Sequence, residues 1–169
     1  MKDLVRRYLA QYPADVVSQV EHLVEAGRLA RYLKDRYSLR HDVVNDSELR
    51  QYVMDIKNQY LKKSSPLSKV VFDNKIHVVK NALGTHSYVR RVQGSKVKSK
   101  NEIRISSVFK KAPGAFLNMI VVHELAHIKE KEHNKNFYSL CVHMLPEYHQ
   151  LEFDCRLYLI ALEAGLEWR

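Results

Sequence analysis

No stretch of this chain is long and apolar enough to cross a bilayer, because every uninterrupted hydrophobic run is short and a spanning helix needs about 20 such residues. The opening residues, Met1-Lys2-Asp3-Leu4-Val5-Arg6-Arg7, offer no apolar stretch of signal-peptide length. A cytoplasmic protein with no membrane partner is the expectation. Cysteine is nearly missing as well: Cys141 and Cys155 are the two present, and both sit in apolar, helical-looking stretches. That excludes a disulfide framework and fits reduced, buried thiols. With five Gly and four Pro in 169 residues, low-complexity and collagen-like classes are excluded. No internal repeat is present.

What remains is the composition of a soluble globular protein, 46% hydrophobic and 28% charged, and long enough for one domain with a real core. The net charge of +9 is unevenly placed. Between Ser64 and Pro113 there are eleven Lys or Arg against two acids, Asp73 and Glu102, while the remaining residues carry seventeen charges of each sign. The whole excess lies in that one segment. A segregated basic surface attracts nucleic acid, anionic lipid or an acidic substrate.

Three stretches differ in pattern. Up to about Lys63 the chain reads as helical, with Val16, Val17, Val20, Leu23, Val24, Ala30 and Leu33 recurring at helical intervals behind Pro13. A further helix is expected from Ser47 to Lys63, capped by Asn45 or Asp46. From Val70 to about Phe109 the pattern is of strands: 70–72, 76–79, 87–92 and 103–108, with a polar, basic loop over Gly94 to Asn101. Then helices return at Phe116–His127, Phe137–Met144 and Glu147–Ala164, with Gly165 placed for a helix end. The fold class is α+β: N-terminal helices, a small, mainly antiparallel sheet, a central helix and C-terminal helices.

The chemistry is concentrated in Val121-Val122-His123-Glu124-Leu125-Ala126-His127. Residues four apart share a helix face, so both imidazoles can reach one cation. Glu124 is rotated by about 100° and stands beside that cation, not on it. A hydrolytic zinc site has this arrangement: two His hold the metal, an open position holds water, and a carboxylate takes the proton as water attacks. The context adds to the pattern, since these three ionisable groups interrupt the most hydrophobic helix of the chain. Without partners their burial would be costly, and a metal relieves that cost. A core helix whose His and Glu merely satisfy hydrogen bonds is the alternative.

A catalytic zinc takes a third protein ligand. His133 follows His127 by six residues, the metzincin spacing. A continuous helix would carry it about 240° off the metal face, so the helix has to stop within Ile128–Glu132. Metzincins have Gly where this chain has Glu130, and a left-handed non-glycine residue costs about 1–2 kcal/mol, so a different turn is expected. Asn134 is well placed to cap the next helix. Glu147 and Glu152 are the alternative third ligands.

His-Glu-Leu-Ala-His, five residues, then His133-Asn134-Lys135-Asn136-Phe137 and the junction Leu145-Pro146 resemble the YgjP-like metallopeptidases, relatives of the SprT/Spartan-type zincins. The resemblance is specific over Val121–Pro146 and looser over the basic strands before it. It implies a zincin-like fold, one Zn2+ per chain on His123, His127 and His133, Glu124 as general base, and hydrolysis of a protein or peptide substrate. The resemblance does not extend to the N-terminal helices; the sequence pattern divides the chain into an N-terminal helical region, 1–63, and a zincin-like metallopeptidase region, 64–169, expected to form one compact unit. The strand 102–108 is expected to border the cleft and to pair with an extended peptide. Tyr138, His143, Tyr148 and His149 are candidates for stabilising an oxyanion. A reading from another class is a nucleic-acid-associated binding module with a structural metal or none. Its patch would be Arg90, Arg91, Lys96, Lys98, Lys100 and Arg104, which could equally be a solvated hairpin.

Overall fold

In a computed structural model, residues 1–38, 40–76, 84–93 and 96–166 are described, with the side chains of 77–100 left aside. The backbone groups into two compact units, Met1–Leu39 with His149–Arg169, and Arg40–Tyr148.

The first unit is helical. It holds α1 (Lys2–Tyr8), α2 (Ala14–Glu25), α3 (Leu29–Arg36) and all but the first residue of α7 (Tyr148–Glu163). The stripe from Val16 to Leu33 is two helices, because Gly27 takes φ 66° between them, a conformation that only glycine adopts readily. Gly165 does the same after α7 at φ 66°, as its sequence position predicts. Val5, Leu9, Leu29, Leu33, Cys155 and Ile160 form the core of this unit. Both cysteines of the chain are buried free thiols.

The second unit is α+β. Its first helix, α4 (Asp46–Tyr60), starts at a capping box: the Glu48 amide donates to Asn45 Oδ1 at 2.9 Å and the Asn45 amide to Glu48 Oε2 at 3.3 Å. Two donors that a helix start otherwise leaves unpaired are thereby satisfied. Asp46 Oδ1 accepts from the Phe72 amide at 2.8 Å, which ties the helix start to β1 (Leu67–Asp73). The sheet continues with β2 (Gly84–Gln93) and β3 (Lys96–Ser106), in the order β1-β3-β2.

Three sequence expectations change here. The sheet is mixed and not mainly antiparallel, since β2 and β3 form an antiparallel hairpin but β1 lies parallel to β3. The long connection that parallel pairing requires is supplied by the chain between β1 and β3, β2 included. The basic loop expected over 94–101 is mostly strand, because β3 begins at Lys96. And β3 is the central strand, bonded to β1 along one edge over 101–106 and to β2 along the other. A strand with both edges occupied has no ladder of amides left to offer a peptide, so 102–108 is not a strand-addition edge. Its last two residues instead open a 3-10 turn, Ser107–Lys110. Of the strand expected at 76–79, Ile76 is not in a strand and the rest lies outside the described residues.

After the 3-10 turn come α5 (Gly114–Ala126) and α6 (Lys135–Met144). Ile103 and Ile105 on β3, Phe109, and Phe116, Leu117, Ile120, Val121 and Leu125 on α5 are all fully buried. At roughly 1.5–3 kcal/mol per buried large apolar side chain, α5 is the centre of this unit.

Candidate metal centre

The apolar sequence of α5 explains both its helicity and its position. Pro113 precedes its first turn, where a missing amide costs nothing, and every residue from Met119 to Ala126 is buried. His123 and Glu124 therefore arrive in the core with the last turn, 7% and 1% exposed respectively. His127 ends the helix in right-handed geometry, φ −64° and ψ −14°.

The break after His127 is made by tightening. Amides of Ile128 and Lys129 donate to the carbonyls of Leu125 and Ala126 at 3.1 Å each, and that of Glu130 to Ala126 at 3.0 Å. The first two are i to i+3 bonds and the third i to i+4, and together they satisfy carbonyls that a helix end leaves open. Asn134 then starts α6 by accepting the Phe137 amide at 2.9 Å. Between those two anchors the chain reverses and carries His133 back to the helix it has left.

His123, His127 and His133 each present a ring nitrogen, and the three atoms lie within 4.8 Å of one another. Burial falls along the series: His123 is buried, His127 intermediate and His133 exposed. Phe137 lies against all three rings, with centroids 4.9, 4.5 and 4.8 Å away. His127 Nδ1 is 2.9 Å from the Glu130 carbonyl oxygen. A carbonyl only accepts, so this nitrogen carries the proton and His127 offers Nε2. His123 Nδ1 is 2.6 Å from the Tyr148 hydroxyl, and its ligand atom is then Nε2 as well.

His133 Nε2 stands 3.0 Å from His127 Nε2. Two imidazole nitrogens that close need a shared proton or a cation between them. Three imidazole nitrogens converging on one point, two of them fixed through their Nδ1 atoms, form a donor set that fits a divalent metal. Among the described residues no other group of His, Cys, Asp or Glu meets the geometric requirement. Glu147 and Glu152 are not in it, and Glu152 instead pairs with Arg156 at 2.9 Å.

Glu124 differs from an ordinary core residue. Its Oε2 is the one buried side-chain polar atom, among the described residues, with no hydrogen-bond partner. Buried polar atoms are nearly always paired. Desolvation pushes its carboxyl up to about 8, as burial in a low dielectric demands. A cation at the neighbouring imidazoles would relieve this by favouring the ionised form. The orphan oxygen and the converging nitrogens therefore point to the same missing partners.

Other candidate residues fall elsewhere. Tyr138 lies beside the site, its ring centroid 6.3 Å from both His133 and Tyr148. His143 meets Tyr60 edge to face at 5.7 Å, and His149 belongs to the other unit. Arg104 is held by Asp73 Oδ2 at 3.3 Å and Glu102 Oε2 at 3.4 Å, so both acids of the basic segment contact this one guanidinium. The side chains of Arg90, Arg91, Lys96, Lys98 and Lys100 lie outside the described residues. Sequence reasoning missed the roles of Phe137, the Glu130 carbonyl and Tyr148. Phe137 stood in the family motif without a role, the Glu130 carbonyl had no signal, and Tyr148, an oxyanion candidate, has its hydroxyl against His123 Nδ1.

Residues 86–154 match the family described as "YgjP-like, metallopeptidase domain". Over 158 residues the chain is 58% identical to the UTP pyrophosphatase of Escherichia coli (strain K12), covering 94% of this chain and 95% of that protein. No solved structure matches.

Proposed function

Because this chain belongs to the YgjP-like metallopeptidase family, we propose that it is a metal-dependent hydrolase whose substrate is a nucleoside triphosphate, UTP, cleaved with release of diphosphate. The observation that carries the hydrolase is the convergence of His123, His127 and His133 beside a buried carboxylate with an unpartnered oxygen. The 58% identity to a UTP pyrophosphatase carries the substrate. Charge supports it: the unit Arg40–Tyr148 holds both the three histidines and the segment 64–113, with its eleven basic residues against two acids. A polyanion is attracted to such a unit, and a triphosphate makes use of the same excess that nucleic acid would.

The three imidazoles would hold a single Zn2+, which supplies Lewis-acid polarisation and lowers the pKa of water. Glu124 accepts the proton of the attacking water through the oxygen that now has no partner, and hands it to the leaving group. Burial of Glu124, 1% exposed, keeps bulk water from the carboxylate, so its basicity is spent on the reacting water.

A second reading, peptide-bond hydrolysis, is favoured by the family's description and by the HExxH pattern itself. The central position of β3 counts against the strand-addition form of it. The test is to offer Zn-loaded protein UTP, the other nucleoside triphosphates and an unfolded protein in parallel, reading nucleotides and diphosphate by chromatography and peptides by mass spectrometry. UMP and diphosphate formed by the wild type but not by Glu124→Gln support the proposal. Peptides released with UTP untouched would return the chain to the second reading.

A further inference from the structure

Tyr148 is the first residue of α7, yet its ring and hydroxyl belong to the histidine cluster. The local sequence explains why. Leu145 takes an extended conformation, φ −148° and ψ 95°, as a residue before proline must. Pro146 ends α6, and the Tyr148 amide closes the turn on the Leu145 carbonyl at 2.9 Å. That junction lays the Tyr148 ring nearly parallel to His123, 21° between planes and 6.3 Å between centroids. The side chain is wholly buried, and its hydroxyl is 2.6 Å from His123 Nδ1.

We infer that Tyr148 is a positioning residue for the metal: its hydroxyl accepts the Nδ1 proton of His123 and so fixes the ring orientation in which Nε2 is presented. The role parallels that of the Glu130 carbonyl behind His127. The two partners differ in kind, since a carbonyl can only accept whereas a phenol hydroxyl accepts or donates. The backbone sets His127 whatever the side chains do, and His123 is set by a group that mutation can remove. Groups of this sort behind a ligating histidine are worth about 10–100-fold in metal affinity. The inference rests on the metal reading of the site but not on the identity of the substrate.

The variant to make is Tyr148→Phe, which keeps the packing and deletes one oxygen. Zn2+ affinity is measured by chelator competition, the visible spectrum of the Co2+-loaded protein reports ligand geometry, and the melting temperature of the metal-free protein reports packing. Expected are Zn2+ binding weakened at least about tenfold, an altered Co2+ spectrum, and metal-free melting close to wild type. Affinity and spectrum unchanged, or a loss of melting temperature with affinity intact, would overturn the role. A check independent of any variant uses Zn-loaded wild type with 15N-labelled histidine. Two Nδ1–H signals protected from solvent exchange are expected, from His123 and His127, and absence of the His123 signal would also overturn it. If these results hold while UTP is not hydrolysed, the positioning role stands and the proposed substrate falls.

Discussion

Among the described residues two carboxylates are all but sealed from solvent, one in each compact unit, and they are treated in opposite ways. Asp154, fully buried, receives the Tyr32 hydroxyl on Oδ1 at 3.2 Å, and on Oδ2 the Tyr37 hydroxyl at 2.5 Å and the Gln150 amide at 3.0 Å. Burial, followed by the bond to Asp154, holds the Tyr37 phenol well above its ordinary range, so it stays a donor at any physiological pH. Glu124, 1% exposed, has an oxygen with nothing to accept. The first carboxylate has satisfied partners and joins α3 to α7. The second keeps an unpartnered oxygen in the last turn of the most apolar helix. Burial is common to both acids; what sets Glu124 apart is an unpartnered oxygen beside three converging imidazoles.

The comparison breaks most sharply on turnover. Glu124→Gln should lower hydrolysis by about 10²–10⁴-fold, the usual contribution of a general base, while Asp154→Asn should leave it within a few-fold, as measured on UTP under saturating Zn2+. Equal losses in the two variants would erase the distinction. On stability the order reverses. Asp154→Asn places an amide N–H against a donor and should cost about 1–3 kcal/mol in denaturant unfolding, whereas Glu124→Gln should not destabilise the metal-free protein at pH 8.

The pH dependence sharpens the same point. A carboxyl held near 8 in the folded chain against about 4.3 in an unfolded one binds its proton more tightly when folded. Its contribution to metal-free stability is then complete below pH 4 and is lost as pH rises towards 8. Metal-free wild type should therefore lose stability relative to Glu124→Gln across that window, by paired melts at pH 5 and pH 8. The smallest effect expected is that of Tyr37→Phe, about 1 kcal/mol from one hydrogen bond, read as a shift in unfolding midpoint with no change in turnover.

Much of the site was legible because its geometry is local. The i to i+4 spacing of His123 and His127, the Asn134 cap and the reversal between them all follow from neighbours in sequence, and so does the capping box at Asn45. Long-range pairing was not legible. Nothing in the residues of β1 says that its partner is β3, 33 positions along at Ser68 Oγ and the Asn101 carbonyl, or that the pairing is parallel. Ile103 and Ile105 alternate with Arg104 and Ser106, which marks a strand's buried face but says nothing of its edges, and both edges are filled. Tyr148 was hidden for a related reason: its role depends on how the Pro146 junction folds back, a tertiary fact with no periodic signature.

Two of the three histidines sit at the end of a helix whose last turns are buried, and the third rides on a short exposed turn, closed at one end by backbone bonds and at the other by the Asn134 side-chain cap. Exposed turns open at a small fraction of the free energy of global unfolding. For an ion held there, release and capture would be local events at His133, through opening of residues 128–134, while α5 kept two of the three histidines in place.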